Sequence, residues 1–274
     1  MAWPKFTVVT ESFNQAAFLE RTIQSVITQP DVEIEYIIVD PGSTDGSREI
    51  IEHYREHFAH VLLTPDRGPS DGLNRALALA TGDYFLCLNA DDEIAPGTLR
   101  EAQEFLRGSP VDVLYGNGVA MDRNGRVLRP IYSEARVSPD LYARGLGIIV
   151  EQAAFVKMEA IRRVGGFNVD NRTCWDGELF FDIARTGGTF QRVWRNWGRF
   201  RIYPASISGS GSRAEQNRKD RLRMRRKLAR NYDSPAQRLL TIASWLVLRI
   251  ADWRRWPSYL RGPFRPLQAA QAMK

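Results

Sequence analysis

The chain has 274 residues, 43% hydrophobic and 26% charged, which excludes a disordered polymer and leaves room for one large or two modest domains. Two cysteines, Cys87 and Cys174, exclude a disulfide framework and fit a reducing compartment. The net charge of +6 is uneven: residues 1–211 hold 22 Lys and Arg against 28 Asp and Glu, and residues 212–274 hold 16 against 4.

Residues 6–10 read as a short strand, followed by polar Glu11, Ser12 and Asn14. Phe18, Leu19, Ile23, Val26 and Ile27 recur at helical spacing within residues 16–29. Residues 34–40 form a second strand ending in Asp40. A loop at 41–47 leads to a helix, with Ser47 as the expected N-cap. Residues 61–63 make a third strand, 66–72 a polar loop and 73–80 an Ala- and Leu-rich helix.

Residues 84–88 are an unbroken apolar run behind Thr81-Gly82, the pattern of a strand buried on both faces. The run delivers Asn89, Asp91 and Asp92 at its C-terminal end. Adjacent carboxylates there need solvent, hydrogen bonds or a cation. Two readings stay open on these residues alone: a metal–diphosphate site, and an acidic turn ahead of a helix at Pro96-Gly97-Thr98-Leu99.

This alternation predicts a doubly wound α/β sheet with Thr10, Asp40, Asp66 and Asp91 along one edge, where such sheets bind ligands. Ser12 and Ser70 have no His–Asp set beside them, which argues against a hydrolase triad. His53, His57 and His60 crowd one helix end and read as a surface cluster.

The second half is less regular. Residues 112–116 and 127–130 read as strands joined through Arg123-Asn124-Gly125. Residues 147–156 form an apolar run. The helix after it, to Val164, closes at Gly165-Gly166-Phe167. Residues 175–185 read as a helix with Asp176 in its first turn, where complementing the helix dipole is the simplest role.

Taken together, these residues resemble the family 2 glycosyltransferases of GT-A fold over residues 5–208. The resemblance is carried by Thr7-Val8-Val9-Thr10-Glu11-Ser12-Phe13-Asn14, Tyr36 through Asp40-Pro41-Gly42-Ser43-Thr44-Asp45-Gly46-Ser47, Asp66-Arg67-Gly68 through Asn74, Ala80-Thr81-Gly82-Asp83, Leu88-Asn89-Ala90-Asp91-Asp92 and Gly165-Gly166-Phe167. It implies an inverting transferase using a nucleotide-diphosphate sugar, with a UDP-sugar as the first expectation, and a glycan or lipid-linked acceptor in cell-surface polysaccharide synthesis.

By the same resemblance, Thr10, Glu11, Asn14, Asp40, Asp66, Asn89 and Asp91 would bind the donor. Asp91 or Asp92 would hold Mn²⁺ or Mg²⁺. Gln152 and Trp175 would face the acceptor, and Asp176 would be the general base. Asn89, Trp175 and Tyr203 stand where relatives often carry Asp, Glu and a metal-binding His. The processive-synthase signature is absent in its usual form around Gln191-Arg192-Val193-Trp194-Arg195. Alternatives are a catalytically degenerate membrane scaffold and a sugar-nucleotide pyrophosphorylase, which should carry a Gly-rich N-terminal loop in place of Glu11-Ser12-Phe13-Asn14.

The expected organisation is a catalytic domain at 1–211, with nucleotide-binding (1–110) and acceptor-binding (111–211) halves, and a basic amphipathic helical tail at 212–274. Basic residues, an apolar helix and tryptophans over residues 213–259 predict contact with an anionic membrane surface. The alternative is a helix packed on the body or on a second copy in a homodimer. No nucleic-acid module appears. The start of the chain does not read as a signal peptide. The expected location is cytoplasmic, peripheral on the inner face of the plasma membrane.

Overall fold

A computed structural model describes residues 3–204, 206, 214–228, 232 and 234–252. Four parallel strands build its first half: β1 (Phe6–Glu11), β2 (Ile34–Val39), β3 (His60–Leu62) and β4 (Tyr84–Asn89). The second half adds β5 (Glu93–Ile94), β6 (Val113–Met121), β7 (Val127–Ile131), β8 (Ala154–Lys157) and β9 (Phe190–Arg201). The sheet order is β3-β2-β1-β4-β8-β6-β9-β5, with β7 paired to β6. The sheet is mixed: β8 runs antiparallel to β4 and β6, and β9 runs parallel to β6.

Strand alternation sorts the core into two layers. Val8, Tyr36, Ile38, Leu86 and Leu88 face α1 (Ala16–Ile27), α2 (Ser47–His53) and α4 (Thr98–Gly108). Val9, Ile37, Val39, Phe85 and Cys87 face α3 (Pro69–Leu79), α6 (Met158–Val164) and α7 (Trp175–Arg185). The short α5 (Pro139–Ala143) joins the second layer through Tyr142 and Ala143, both buried.

Two boundaries differ from the sequence reading, and one apolar run resolves into two elements. Helix α3 begins at Pro69, because Gly68 takes φ +117° and a proline suits the first helical position. Ser70 and Asp71 are therefore helical. Ser47 is the first residue of α2 rather than its cap; Gly46, at φ +100°, precedes it. The apolar run at 147–156 is a strand only from Ala154. A tight turn at Glu151–Ala153 interrupts it, with Ala153 N–H donating to Val150 O.

Two of the sequence motifs serve the scaffold. Thr7 Oγ1, Thr81 N and Thr81 Oγ1 all donate to Glu35, at the sheet edge away from the acidic turn. Asn74 clasps the Gly-Gly-Phe turn: its Nδ2 donates to Phe167 O and its Oδ1 accepts from Phe167 N, both at 2.8 Å.

The basic segment contributes α8 (Ala214–Arg226) and α9 (Pro235–Ala251). Helix α8 is docked on the body. Met224 enters the core and Asp220 is fully buried. Arg223 and Lys227 pair with Glu178 on α7 at 2.7 and 2.9 Å. Part of the tail's positive charge is thus neutralised within the molecule. Trp253, Arg254, Arg255, Trp256 and Tyr259, part of the predicted membrane segment, lie outside the described residues.

Candidate active site

Parallel register brings the ends of β1 and β4 level, with Glu11 opposite both Asn89 and Val39. Beyond these ends opens a cavity of about 920 Å³, the volume class of small-ligand sites. Glu11, Asp66, Asn89, Asp91, Asp92, Gln152, Trp175 and Asp176 all line it. Gly72 lets two of these acids approach α3: a Cβ there would lie 2.8 Å from Asp66 Oδ2 and 3.1 Å from Glu11 Oε1.

The acidic turn is held from behind by Arg201, whose side chain is fully buried. Arg201 N donates to Asp92 Oδ1 at 2.8 Å, its Nε to Asp91 O at 2.7 Å and its Nη2 to Glu93 Oε1 at 2.5 Å. Gln152 Nε2 donates to Asp92 Oδ2 at 2.5 Å, and Asn89 Nδ2 reaches the same atom at 3.4 Å. Both Asp92 oxygens are therefore engaged, and the residue is 1% exposed. Asp91 receives a side-chain hydrogen bond from Tyr203, whose hydroxyl donates to Oδ2 at 2.9 Å. Burial raises the pKa of both aspartates, and Asp91 repels Asp92 further.

Asp176 sits in the first turn of α7, on the cavity wall. Burial raises its pKa; the Gly177 N–H and the Arg221 charge oppose that shift. Two residues overlooked in the sequence join it. Glu151 lines the cavity, is half-buried beside Cys87, and has its pKa pushed up first by desolvation and then by Asp176. An acid inside the apolar run 147–156 was the available signal. Arg221 reaches the cavity from α8. That helix is latched by Asp220, which accepts from Arg172 N and Thr173 Oγ1 just ahead of α7. No local pattern marks Arg221.

Three predicted donor residues do not line the cavity. Thr10 points to the other face of the sheet from Glu11 and bonds the Tyr36 hydroxyl at 2.9 Å. Asn14 braces a loop, accepting from Thr44 N and donating its own N–H to Ser43 Oγ. Asp40 is sealed at 0% exposure, with Oδ1 accepting from Gly42 N, Ser43 N and Arg48 Nε. Burial works to raise its pKa, but these bonds hold it below the usual range. Asp40 therefore shapes the loop whose Pro41 touches the cavity.

Among the described residues, no ion pair reaches Glu11, Asp66, Asp91, Asp92, Glu151 or Asp176. Nor is any group of three or more His, Cys, Asp or Glu placed to hold a metal alone. Burial keeps the Tyr203 phenol protonated, so it donates to Asp91 and is no anionic ligand. These residues fit a hard divalent cation held by one carboxylate and completed by ligand phosphates. They do not fit a cage built wholly from protein.

A family model described as "Glycosyl transferase family 2" matches residues 7–165. An uncharacterised glycosyltransferase of Mycobacterium tuberculosis is 32% identical over 187 residues, covering 66% of this chain and 69% of that protein. A PGL/p-HBAD biosynthesis glycosyltransferase of Mycobacterium bovis is 32% identical over 131 residues, 46% of this chain and 51% of its own. Among solved structures, the mannosyltransferase PcManGT of Pyrobaculum calidifontis, in complex with GDP-Man and Mn²⁺, superposes with a TM-score of 0.66. Its identity is 21%, and the match covers 99% of this chain and 79% of that one. The S. aureus TarS fragment 1–349 gives a TM-score of 0.60 at 20% identity; the match spans 72% of this chain and 60% of TarS 1–349. Both structures share the α/β layout described above, and the chain belongs to glycosyl transferase family 2, as a transferase of GT-A fold.

Proposed function

We propose that this chain moves a sugar from a nucleotide-diphosphate sugar to a hydroxyl of a glycan or lipid-linked acceptor in cell-surface polysaccharide synthesis, with inversion at the anomeric carbon. One observation carries the reading: strand ends, the turn at Glu151 and the start of α7 bring six carboxyl groups to one cavity, and among the described residues no ion pair reaches any of them. A diphosphate beside an ionised Asp91 is repelled unless a counter-ion lies between them. Solved relatives in complex with UDP-GlcNAc, and with GDP-Man and Mn²⁺, support a donor of that class.

In this reading Glu11 and Asp66 take the nucleoside end of the donor. Asp91 holds the cation; Asp92, with both oxygens engaged, fixes the turn. A divalent ion bound there offsets the charge that develops on the leaving diphosphate. Asp176 accepts the acceptor's hydroxyl proton as that oxygen bonds to the anomeric carbon. The bond from carbon to phosphate oxygen breaks, and its electron pair leaves with the nucleoside diphosphate. Trp175 and Gln152 bound the acceptor side, and Arg221 supports the ionised form of Asp176.

The test is a thermal-shift panel of UDP, GDP, CMP and dTDP, each with and without Mn²⁺. A ligand selective for the native state raises stability by RT ln(1 + [L]/Kd). A Mn²⁺-dependent shift with one nucleotide is expected. No shift with any of the four would overturn the donor assignment.

A further inference from the structure

Helix α9 is amphipathic in the reverse sense for a helix packed on a protein. Gln237, Thr241, Ser244 and Leu248 follow helical spacing and share one side. That side meets the body. Arg144 donates to Gln237 O at 3.0 Å, to Gln237 Oε1 at 2.7 Å and to Thr241 Oγ1 at 3.1 Å. Leu248 is buried there, and Asp252, just past the helix, pairs with Arg192 at 2.6 Å. Three of the four inward residues are polar. The opposite stripe is apolar: Leu239, Ile242, Leu246 and Ile250 are 68, 57, 47 and 66% exposed. A continuous apolar face of this kind marks an interaction surface.

We propose that the outer face of α9 lies in the surface of an anionic lipid bilayer. Residues 212–274 hold 16 Lys and Arg against 4 Asp and Glu, which complements an anionic leaflet. Arg249 stacks over Trp245 at 5.6 Å, beside the apolar stripe. That pairing keeps a charge at the water boundary while the indole enters the headgroup layer. Among the described residues no helix is long and apolar enough to cross a membrane. A second copy is the poorer occupant, because pairing two α9 faces would bring two strongly basic segments together.

The anchor also links this face to the cavity. Arg144 lies four residues before Ile148, which is half exposed and lines the cavity. Resting on the reading of that cavity as a transferase site, a docked α9 sets the acceptor side beside the leaflet, where a lipid-linked acceptor would be presented.

The experiment is co-sedimentation of the full chain with vesicles of phosphatidylcholine alone and with 30% phosphatidylglycerol. Binding to the anionic vesicles is expected, weakened at high salt and reduced at least tenfold in the Leu246→Glu/Ile250→Glu variant. An unchanged melting midpoint without ligand shows that this variant is folded, and the nucleotide shift, read separately, keeps the donor site apart from the result. Should the variant melt well below wild type, Leu246→Gln replaces it, with the same direction and a smaller loss expected. Absence of vesicle binding, or undiminished binding by the folded variants, overturns the proposal. So does a concentration-dependent dimer that the variants abolish without vesicles present.

Discussion

The Tyr203 hydroxyl donates a 2.9 Å hydrogen bond to Asp91 Oδ2, and Gln15 Oε1 lies 3.1 Å from the same hydroxyl. A neutral phenol therefore stands beside the carboxylate proposed to hold the cation. An imidazole at this position could add a ligand. Tyr203→His is expected to lower the Mn²⁺ concentration needed for half of the nucleotide-dependent thermal shift by several-fold. An unchanged Mn²⁺ titration would place the ion away from Tyr203.

Asp91 and Asp92 should separate by phenotype. Asp91→Asn is expected to abolish the Mn²⁺-dependent part of nucleotide binding while unfolding near the wild-type midpoint. Asp92→Ala strips acceptors from Arg201 N and Gln152 Nε2. A loss of about 1–3 kcal/mol in urea unfolding is expected for each buried donor left unpaired. The reverse pattern would exchange the two roles.

Asp176→Asn is expected to lower kcat by roughly 10²–10⁴-fold with donor binding retained. Because burial raises the Asp176 pKa, the base is protonated at a higher pH than an ordinary aspartate. The acid limb of kcat/KM should lie correspondingly high. Arg221→Met removes a charge that favours the ionised form, so the limb should move further up. A limb that stays in place would show that Arg221 does not act on the base.

Helix α8 should come loose in acid. Burial works to raise the Glu178 pKa, but Arg223, Asn168, Lys227 and Asn171 together pull it from 4.5 down to about 2. A depressed folded-state pKa stabilises the protein above the unfolded value and loses that contribution as pH falls through the folded one. The contribution, on the order of 3 kcal/mol, should fade between about pH 4.5 and 2. Glu178→Gln should be clearly less stable than wild type at pH 7 in urea and differ less at pH 3. An equal gap at both would refute the linkage.

Asn74→Ala should cost about 1–3 kcal/mol, because it leaves Phe167 N and O without their side-chain partner. Far-ultraviolet and urea melts report it. A neutral change would mean that the Gly-Gly-Phe turn is held by its backbone alone.

The residue pattern carried much of this molecule. Period-2 strands alternating with period-3.6 helices fix a layered α/β fold, and parallel register then aligns strand ends, so of Thr10, Asp40, Asp66 and Asp91, assigned to one edge from the sequence, Asp66 and Asp91 do line the cavity there. Other placements required packing. Alternation along β1 turns Thr10 away from Glu11, and Asp40 turns back into its own loop. Arg201 came into view only when β9 crossed behind the acidic turn, Glu151 when the apolar run broke at Ala153, and Arg221 when Asp220 latched α8 beside α7. The inverted face of α9 likewise needed a partner to define its inside. Hydrophobic periodicity says that a segment has two sides; which side meets the body is decided by contacts, such as Arg144 with Gln237, between residues far apart in the chain.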